Sequence, residues 1–158
     1  MLFRSIFVFG ANAGADPELN RSGLTDLNQF ASPDGMLFDS RGVLWIQTDN
    51  GEKSLTDYTN DQMLAVIPAN LIDPQGREVP VNVQNQGELR RFFVGPNGCE
   101  VTGLAFTPDN RTMFVNIQHP VNWPYSDDAT QVTPAGSKVR PRAATVVIQR
   151  TDGGELAI

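Results

Sequence analysis

Two copies of one sequence pattern lie in the chain, and this repeat constrains the fold more than any other feature. Residues 33–39 (PDGMLFD) and 42–47 (GVLWIQ) form the first copy, and residues 101–107 (VTGLAFT) and 111–116 (RTMFVN) form the second. Gly35 aligns with Gly103 at an offset of 68 residues, and Trp45 with Phe114 at an offset of 69. Each copy has two short apolar segments separated by turn residues, which is typical of a β-hairpin.

Short apolar runs bounded by turn residues recur along the whole chain and predict further strands. The predicted strands are residues 6–9, 36–39, 43–47, 62–67, 88–94, 104–106, 112–117 and 144–150, with one short edge strand at 79–83. The 14 glycines and 11 prolines favour short elements joined by turns, and no amphipathic helix is evident. Two strands lie between the hairpin copies, so each repeat would contain four antiparallel strands, as in the blade of a β-propeller.

The predicted fold is therefore all-β, with about two four-stranded propeller blades in one partial propeller over residues 1–158. We assign 6–29 to a strand remnant and loop, 30–98 to the first blade and 99–158 to the second, which includes an irregular loop at 119–140. A propeller needs at least four blades to close, so the chain is expected to belong to a larger ring. A small β-sandwich with two similar hairpins remains the alternative. Four aromatic side chains are expected in the core between the blades: Phe38, Trp45, Phe106 and Phe114.

Charge and composition exclude several classes of function. The chain has 12 Lys and Arg against 18 Asp and Glu, a net charge of −6, which disfavours binding to nucleic acid or anionic membranes. One cysteine and one histidine exclude an internal disulfide framework, a cysteine-only zinc site and a two-histidine metal motif. The apolar run at 6–9 is too short to span a membrane, and no signal peptide is recognisable. Neither a P-loop nor a Gly-x-Ser-x-Gly elbow is present.

Two carboxylates stand where innermost strands would begin, and they are the first candidates for a metal site. Asp34 lies in a Pro-Asp-Gly sequence at the start of the first blade, and Glu100 precedes the equivalent strand of the second. Two carboxylates directed into one channel would repel each other unless a cation lay between them. The alternatives are a turn aspartate bonded to its own backbone and an exposed loop glutamate. Asp39 and Asp109 lie within hairpin turns and are expected to be structural.

Three further residues are weaker candidates for channel positions. Cys99 is a soft ligand that could bind iron, although a lone cysteine usually serves packing. Asp49 could be a ligand or a turn residue, and His119 could be a general acid or a hydrogen-bonded structural residue. Arg90 and Arg91 would lie on opposite faces of an outer strand, where a solvated edge is expected.

Several segments resemble, in order and spacing, the C-terminal part of PhoX-type alkaline phosphatases, closely over residues 30–120. They are residues 30–35 (FASPDG), 38–49 (FDSRGVLWIQTD), 61–63 (DQM), 87–92 (GELRRF), 95–103 (GPNGCEVTG), 106–109 (FTPD), 112–116 (TMFVN) and 118–120 (QHP). The chain departs from the family at Val121, since glycine usually follows the His-Pro pair there.

The resemblance implies a β-propeller phosphomonoesterase, exported to the periplasm or cell surface, with calcium and iron at the mouth of the central channel. The remaining ligands and basic groups would come from earlier blades, so this chain by itself is expected to be incomplete and inactive. Two alternatives stay open: a non-catalytic propeller interaction module, and a calcium-dependent lactonase-like hydrolase on the same scaffold.

Overall fold

Two antiparallel β-sheets make up the computed structural model, which describes residues 5–50, 59–96, 98–120 and 143–156. The first sheet has strand order β1-β2-β3-β4 and the second β5-β6-β7. The strands are β1 (Pro33–Phe38), β2 (Leu44–Thr48), β3 (Gln62–Val66), β4 (Arg90–Val94), β5 (Glu100–Phe106), β6 (Thr112–Gln118) and β7 (Ala144–Gln149). Among the described residues the only helices are single 3-10 turns, at Pro68–Asn70 and Gln86–Glu88, and none could cross a membrane. The prediction of an all-β fold with propeller-like sheets is confirmed.

The two hairpins form where the repeat predicts them, because each turn supplies its own hydrogen bonds. In the first turn the Asp39 carboxylate accepts hydrogen bonds from the backbone N–H groups of Arg41 and Val43. Gly42 follows with a φ of +82°, a conformation that glycine adopts without steric cost. The second turn places Asn110 at a φ of +53°, which asparagine tolerates better than most residues.

Both innermost strands contain a β-bulge at the aligned glycines. The pairing of β1 with β2 shifts between Pro33 and Met36, and that of β5 with β6 shifts between Thr102 and Leu104. Gly103, the extra residue in β5, has a φ of +54°. A bulge bends the strand and changes which side chains face the same neighbour, so these two positions set the register at the start of each sheet.

The main hydrophobic core lies between the two sheets. Trp45 is completely buried there, with its ring 4.8 Å from that of Phe92 and 5.4 Å from that of Phe106, which comes from the other sheet. The other buried members are Val43, Met63, Ala65, Cys99, Val101, Met113, Val115, Ile117 and Leu156. Because both sheets contribute side chains to this core, each sheet stabilises the other.

The opposite face of the first sheet is covered by loops. Leu44, Ile46, Leu64 and Val66 point to this side and pack against side chains from the segments before β1 and between β3 and β4: Leu24, Phe30, Leu71, Val81 and Leu89. The long irregular segments of the sequence therefore serve as the second layer that an antiparallel sheet requires.

Two short strand predictions are wrong. Residues 6–9 form no strand, because their backbone makes isolated contacts: the Phe7 carbonyl accepts a bond from Val81, and the Phe9 N–H donates to Ser22 Oγ. Residues 79–83 also form no strand, since their backbone makes only isolated bonds: Val79 donates to the Leu71 carbonyl and Val81 to that of Phe7.

Three predictions of side-chain environment need correction. Phe38 and Phe114 are 57% and 38% exposed, because each points away from the core between the sheets. Arg91 is not part of a solvated edge: it is half-buried and donates hydrogen bonds to the Gln62 side chain and the Gln29 carbonyl. Arg90 is exposed, as expected. The predicted loop at 119–140 lies almost entirely outside the described residues.

Candidate metal centre

One rim of the paired sheets brings together Asp49, Glu100 and His119, which we call the rim cluster. Asp49 directly follows β2, Glu100 opens β5 and His119 directly follows β6. One ligand atom from each of the three lies within 4.8 Å of the other two. Glu100 pairs with Gln118 across the second sheet, which places the neighbouring His119 beside it. Since β2 lies against β5, Asp49 reaches the same point from the first sheet.

The histidine is oriented by a backbone carbonyl. His119 Nδ1 lies 3.2 Å from the carbonyl oxygen of Gly98, and a carbonyl can only accept, so Nδ1 carries the proton in this contact. Nε2 then faces the Glu100 carboxylate at 3.5 Å. Two acceptors at that separation require either a proton or a cation between them. A carbonyl that fixes one ring nitrogen while the other faces a ligand site is a common arrangement in metal centres.

Strain at His119 supports a functional position. Its φ is +39°, and it precedes Pro120, where proline further restricts the backbone. Non-glycine residues held in this region cost of order 1–3 kcal/mol and concentrate at functional sites. The strained backbone turns the ring back toward Gly98 and Glu100.

Asp49 has an unsatisfied oxygen. Its backbone N–H donates to the Ser32 carbonyl at 3.0 Å, which fixes the backbone, but Asp49 Oδ1 is buried without a hydrogen-bond partner in the described part of the chain. The side-chain oxygen and nitrogen of Asn50 are also buried without a hydrogen-bond partner among the described residues. Buried polar atoms without partners are costly, and a bound cation would satisfy a carboxylate oxygen.

A third acidic residue, Asp61, lies behind the rim cluster and is not among the candidate site residues that the sequence indicates. It is 5% exposed, and its Oδ1 accepts hydrogen bonds from Thr48 Oγ1 at 2.6 Å and from the Asn50 N–H at 2.7 Å. Burial raises the pKa of Asp61, the negative charges of Asp49 and Glu100 raise it further, and the two hydrogen bonds only partly offset this. Negative charge is therefore concentrated at this rim. The sequence signals are its place just before the predicted strand 62–67 and its membership of the segment 61–63, which carries part of the family resemblance.

Asp34 is not part of the rim cluster. It lies exposed within β1, at a position that the repeat makes near-equivalent, but not identical, to that of Glu100. At the offset of 68, Ser32 aligns with Glu100, whereas Asp34 aligns with Thr102 inside the bulged region. Two residues along a strand correspond to a displacement of about 7 Å. The carboxylate that meets Glu100 is instead Asp49.

Cys99 lies next to the rim but points into the core between the sheets. It is 1% exposed, and its Sγ occupies the space that a Cβ on Gly95 would need. Burial, followed by the charge of Asp61, raises the pKa of the Cys99 thiol to about 12. Its place among the buried side chains between the sheets fits the packing role that is usual for a lone cysteine.

The chemistry of the rim cluster suits a divalent cation. Two carboxylates supply hard oxygen donors, which calcium prefers, and the imidazole adds a nitrogen donor, which suits transition metals such as iron. Three protein ligands leave coordination positions free for other groups. The half-exposed side chain of His119 leaves the cluster accessible from solvent.

Comparison with known proteins gives two matches. A family model described as alkaline phosphatase PhoX matches residues 3–121. The structure of Pseudomonas fluorescens PhoX in complex with vanadate, a transition state analogue, matches with a TM-score of 0.67 and 37% sequence identity. That match covers 95% of this chain and 23% of the Pseudomonas fluorescens chain, so the present chain spans about a quarter of its length. No curated protein sequence matches significantly.

Proposed function

Because the chain belongs to the PhoX family of alkaline phosphatases, we propose that it forms two blades of a metal-dependent propeller phosphomonoesterase. The substrate would be a phosphate monoester, and the remaining blades would be supplied by a longer protein. The solved relative supports the substrate class, since it was captured with vanadate as a transition state analogue. Membership of the PhoX family also supports the proposal that the longer protein is exported to the periplasm or the cell surface.

The observation that carries the proposal is the convergence of Asp49, Glu100 and His119 at one rim. The three residues come from two different sheets, and nothing in local turn chemistry requires them to meet. Clusters of titratable groups with an unsatisfied buried oxygen are typical of functional sites.

Calcium and iron are the cations that the family implies, and the residues present fit them in different ways. Asp49 and Glu100 would hold either cation through oxygen, and His119 would bind iron through Nε2 while Gly98 fixes Nδ1. When bound, such cations coordinate phosphate oxygens and offset the negative charge of phosphoryl transfer. Asp34 remains a separate candidate, as an exposed carboxylate on an innermost strand.

The proposal is tested in the longer protein by p-nitrophenyl phosphate turnover and by metal analysis of Asp49→Asn, Glu100→Gln, His119→Gln and Asp34→Ala. We expect the first three to lose metal and at least about 100-fold in kcat, since each removes a ligand. Asp109→Asn, in an exposed turn, is the control and should behave as wild type. Wild-type activity and metal content in both Asp49→Asn and Glu100→Gln would contradict the proposal.

A parallel assay separates the proposed activity from the alternatives. A lactonase would hydrolyse sugar lactones and leave p-nitrophenyl phosphate intact, and an interaction module would hydrolyse neither. The purified 158-residue chain is expected to have little phosphatase activity, because most of the relative's length has no counterpart in it. Robust turnover by this chain would contradict that expectation.

A further inference from the structure

Asp61 holds the segment that carries Asp49 from both sides. Its Oδ1 accepts a hydrogen bond from the side chain of Thr48, the residue before Asp49, and from the backbone of Asn50, the residue after it. The Asp49 N–H donates in turn to the Ser32 carbonyl. These bonds fix the backbone on either side of the Asp49 carboxylate.

Asp61 is itself fixed by the sheet. Its backbone carbonyl accepts a hydrogen bond from the Gly95 N–H at 2.8 Å, which follows the pairing of β3 with β4. Thr48 Oγ1, besides donating to Asp61, accepts a bond from the Gln62 N–H at 3.0 Å. The end of β2 and the start of β3 are thus linked by a connected set of buried hydrogen bonds, in which displacement of one member displaces the others.

A buried carboxylate at position 61 is energetically unfavourable. Asp109 also accepts a backbone hydrogen bond in a turn, but its side chain is exposed to water there. Asp61 makes its bonds while buried, near the carboxylates of Asp49 and Glu100. Burying a charge beside like charges lowers stability unless something compensates, so the position has a use beyond holding a turn.

We propose that Asp61 is a positioning residue for the cation site: it directs the Asp49 carboxylate toward Glu100 and His119. This inference rests on the proposed function, because it assigns Asp61 a role in the same metal centre. Asp61 acts through Asp49 and does not need to contact the cation. Residues that orient metal ligands in this way commonly change metal affinity about 10- to 100-fold when they are replaced.

The test is Zn²⁺ affinity of the purified chain, measured by isothermal titration calorimetry, for Asp61→Ala and Asp61→Asn. Asp61→Ala removes the acceptor of both hydrogen bonds and should weaken binding about 10- to 100-fold. Asp61→Asn retains an oxygen acceptor for Thr48 and Asn50, so it should keep affinity within about threefold of wild type. Asp109→Asn, which removes an exposed charge, controls for the change in net charge and should have no effect.

Each outcome has a separate meaning. Absence of Zn²⁺ binding by the wild type would overturn cation binding by the rim cluster of this chain, and this inference with it. The proposed function concerns the longer protein, which has further ligands, and is decided by the metal analysis of that protein. Normal binding by the wild type and by Asp61→Ala would overturn only the role of Asp61. Equal losses of Zn²⁺ affinity in Asp61→Asn and Asp61→Ala would also overturn that role, because the negative charge of Asp61, and not its hydrogen bonds to the Asp49 segment, would then account for the effect. If Asp61→Ala does not fold, Thr48→Val removes one of the two bonds, and unchanged affinity in that variant would overturn the inference.

Discussion

At the scale of single residues, the buried carboxylates of this chain have opposite effects on stability. Asp39 lies in the first hairpin turn and is satisfied: it accepts hydrogen bonds from the Arg41 guanidinium at 2.6 Å and from the Trp45 indole N–H at 3.2 Å. Arg41 also donates to the Leu156 carbonyl, which ties the turn to the last described segment. Asp61 at the other rim accepts hydrogen bonds from Thr48 and Asn50 but lies near the like charges of Asp49 and Glu100. Asp39 therefore serves the fold, whereas Asp61 is the carboxylate for which we propose a role in the cation site.

Asp39→Ala should lower the free energy of unfolding by about 2–4 kcal/mol, because it removes the acceptor of the buried Trp45 N–H and the carboxylate partner of the Arg41 guanidinium. Asp109→Ala, in the exposed turn of the other hairpin, should cost less than about 1 kcal/mol. Urea denaturation followed by circular dichroism measures both. Equal losses in the two variants would contradict the structural role of Asp39.

Asp39 should also contribute to the loss of stability in acid. Burial raises the pKa of Asp39, but the hydrogen bonds from Arg41, Val43 and Trp45 outweigh it and lower the pKa below the ordinary value of 3.8. A lowered folded-state pKa means that the stabilisation is present above pH 3.8 and disappears as the pH falls through the folded-state value. In Asp39→Asn the unfolding free energy should depend less steeply on pH below 3.8 than in the wild type. An unchanged dependence would show that other groups dominate.

At the scale of elements, the bulges in β1 and β5 determine which side chains meet at the rim. Hairpins could be predicted from the sequence because apolar runs and turn residues are local signals, and the aligned glycines identified the innermost strands. The register inside those strands could not be predicted from the sequence. A bulge depends on the backbone conformation of one residue, here Gly103, and on the strand that pairs with it. That is why the sequence places Asp34 near Glu100 and does not indicate that Asp49 and His119 lie beside Glu100.

Asp61 escaped prediction for a related reason. Its contacts join the start of β3 to the end of β2. The sequence of either segment alone does not predict which strands pair when a long connection separates them. Buried acceptors of this kind become visible only when the sheet is assembled.

Gly103→Ala should destabilise the chain more than Gly42→Ala. Both glycines have positive φ, so a Cβ costs about 1 kcal/mol at either position. At Gly103 the added Cβ would also collide with the Asn116 side chain, whereas at Gly42 it meets nothing within 4 Å. We expect a loss of about 2–3 kcal/mol for Gly103→Ala, measured by urea denaturation. A loss no larger than that of Gly42→Ala would contradict the observed bulge.

At the scale of the whole molecule, the two sheets share one core and are further joined at one rim. There the Asn110 side chain donates to Ser40 Oγ at 3.0 Å, which connects the two hairpin turns. At the other rim, the rim cluster brings side chains from both sheets together. A chain built this way should unfold as a single cooperative unit, because unfolding of either sheet exposes the core that both sheets share.

Trp45→Ala tests this coupling. Trp45 belongs to β2 but contacts Phe106 of β5, so its removal should cost at least about 3 kcal/mol and destabilise both sheets. Hydrogen exchange should show reduced protection in β6 as well as in β2. Phe114→Ala, at a partly exposed aromatic on the outer face of the second sheet, should cost much less. Loss of protection confined to the first sheet would contradict a shared core.

The most direct test of the metal centre is the ¹⁵N spectrum of the imidazole, because His119 is the single histidine of the chain. Zn²⁺ is a suitable diamagnetic probe, since it binds nitrogen and carboxylate oxygen. We expect added Zn²⁺ to shift the Nε2 signal while Nδ1 stays protonated against the Gly98 carbonyl, and we expect Glu100→Gln to weaken the effect at least about tenfold. An Nε2 signal that does not respond to millimolar Zn²⁺, or that responds equally in wild type and Glu100→Gln, would contradict the metal centre.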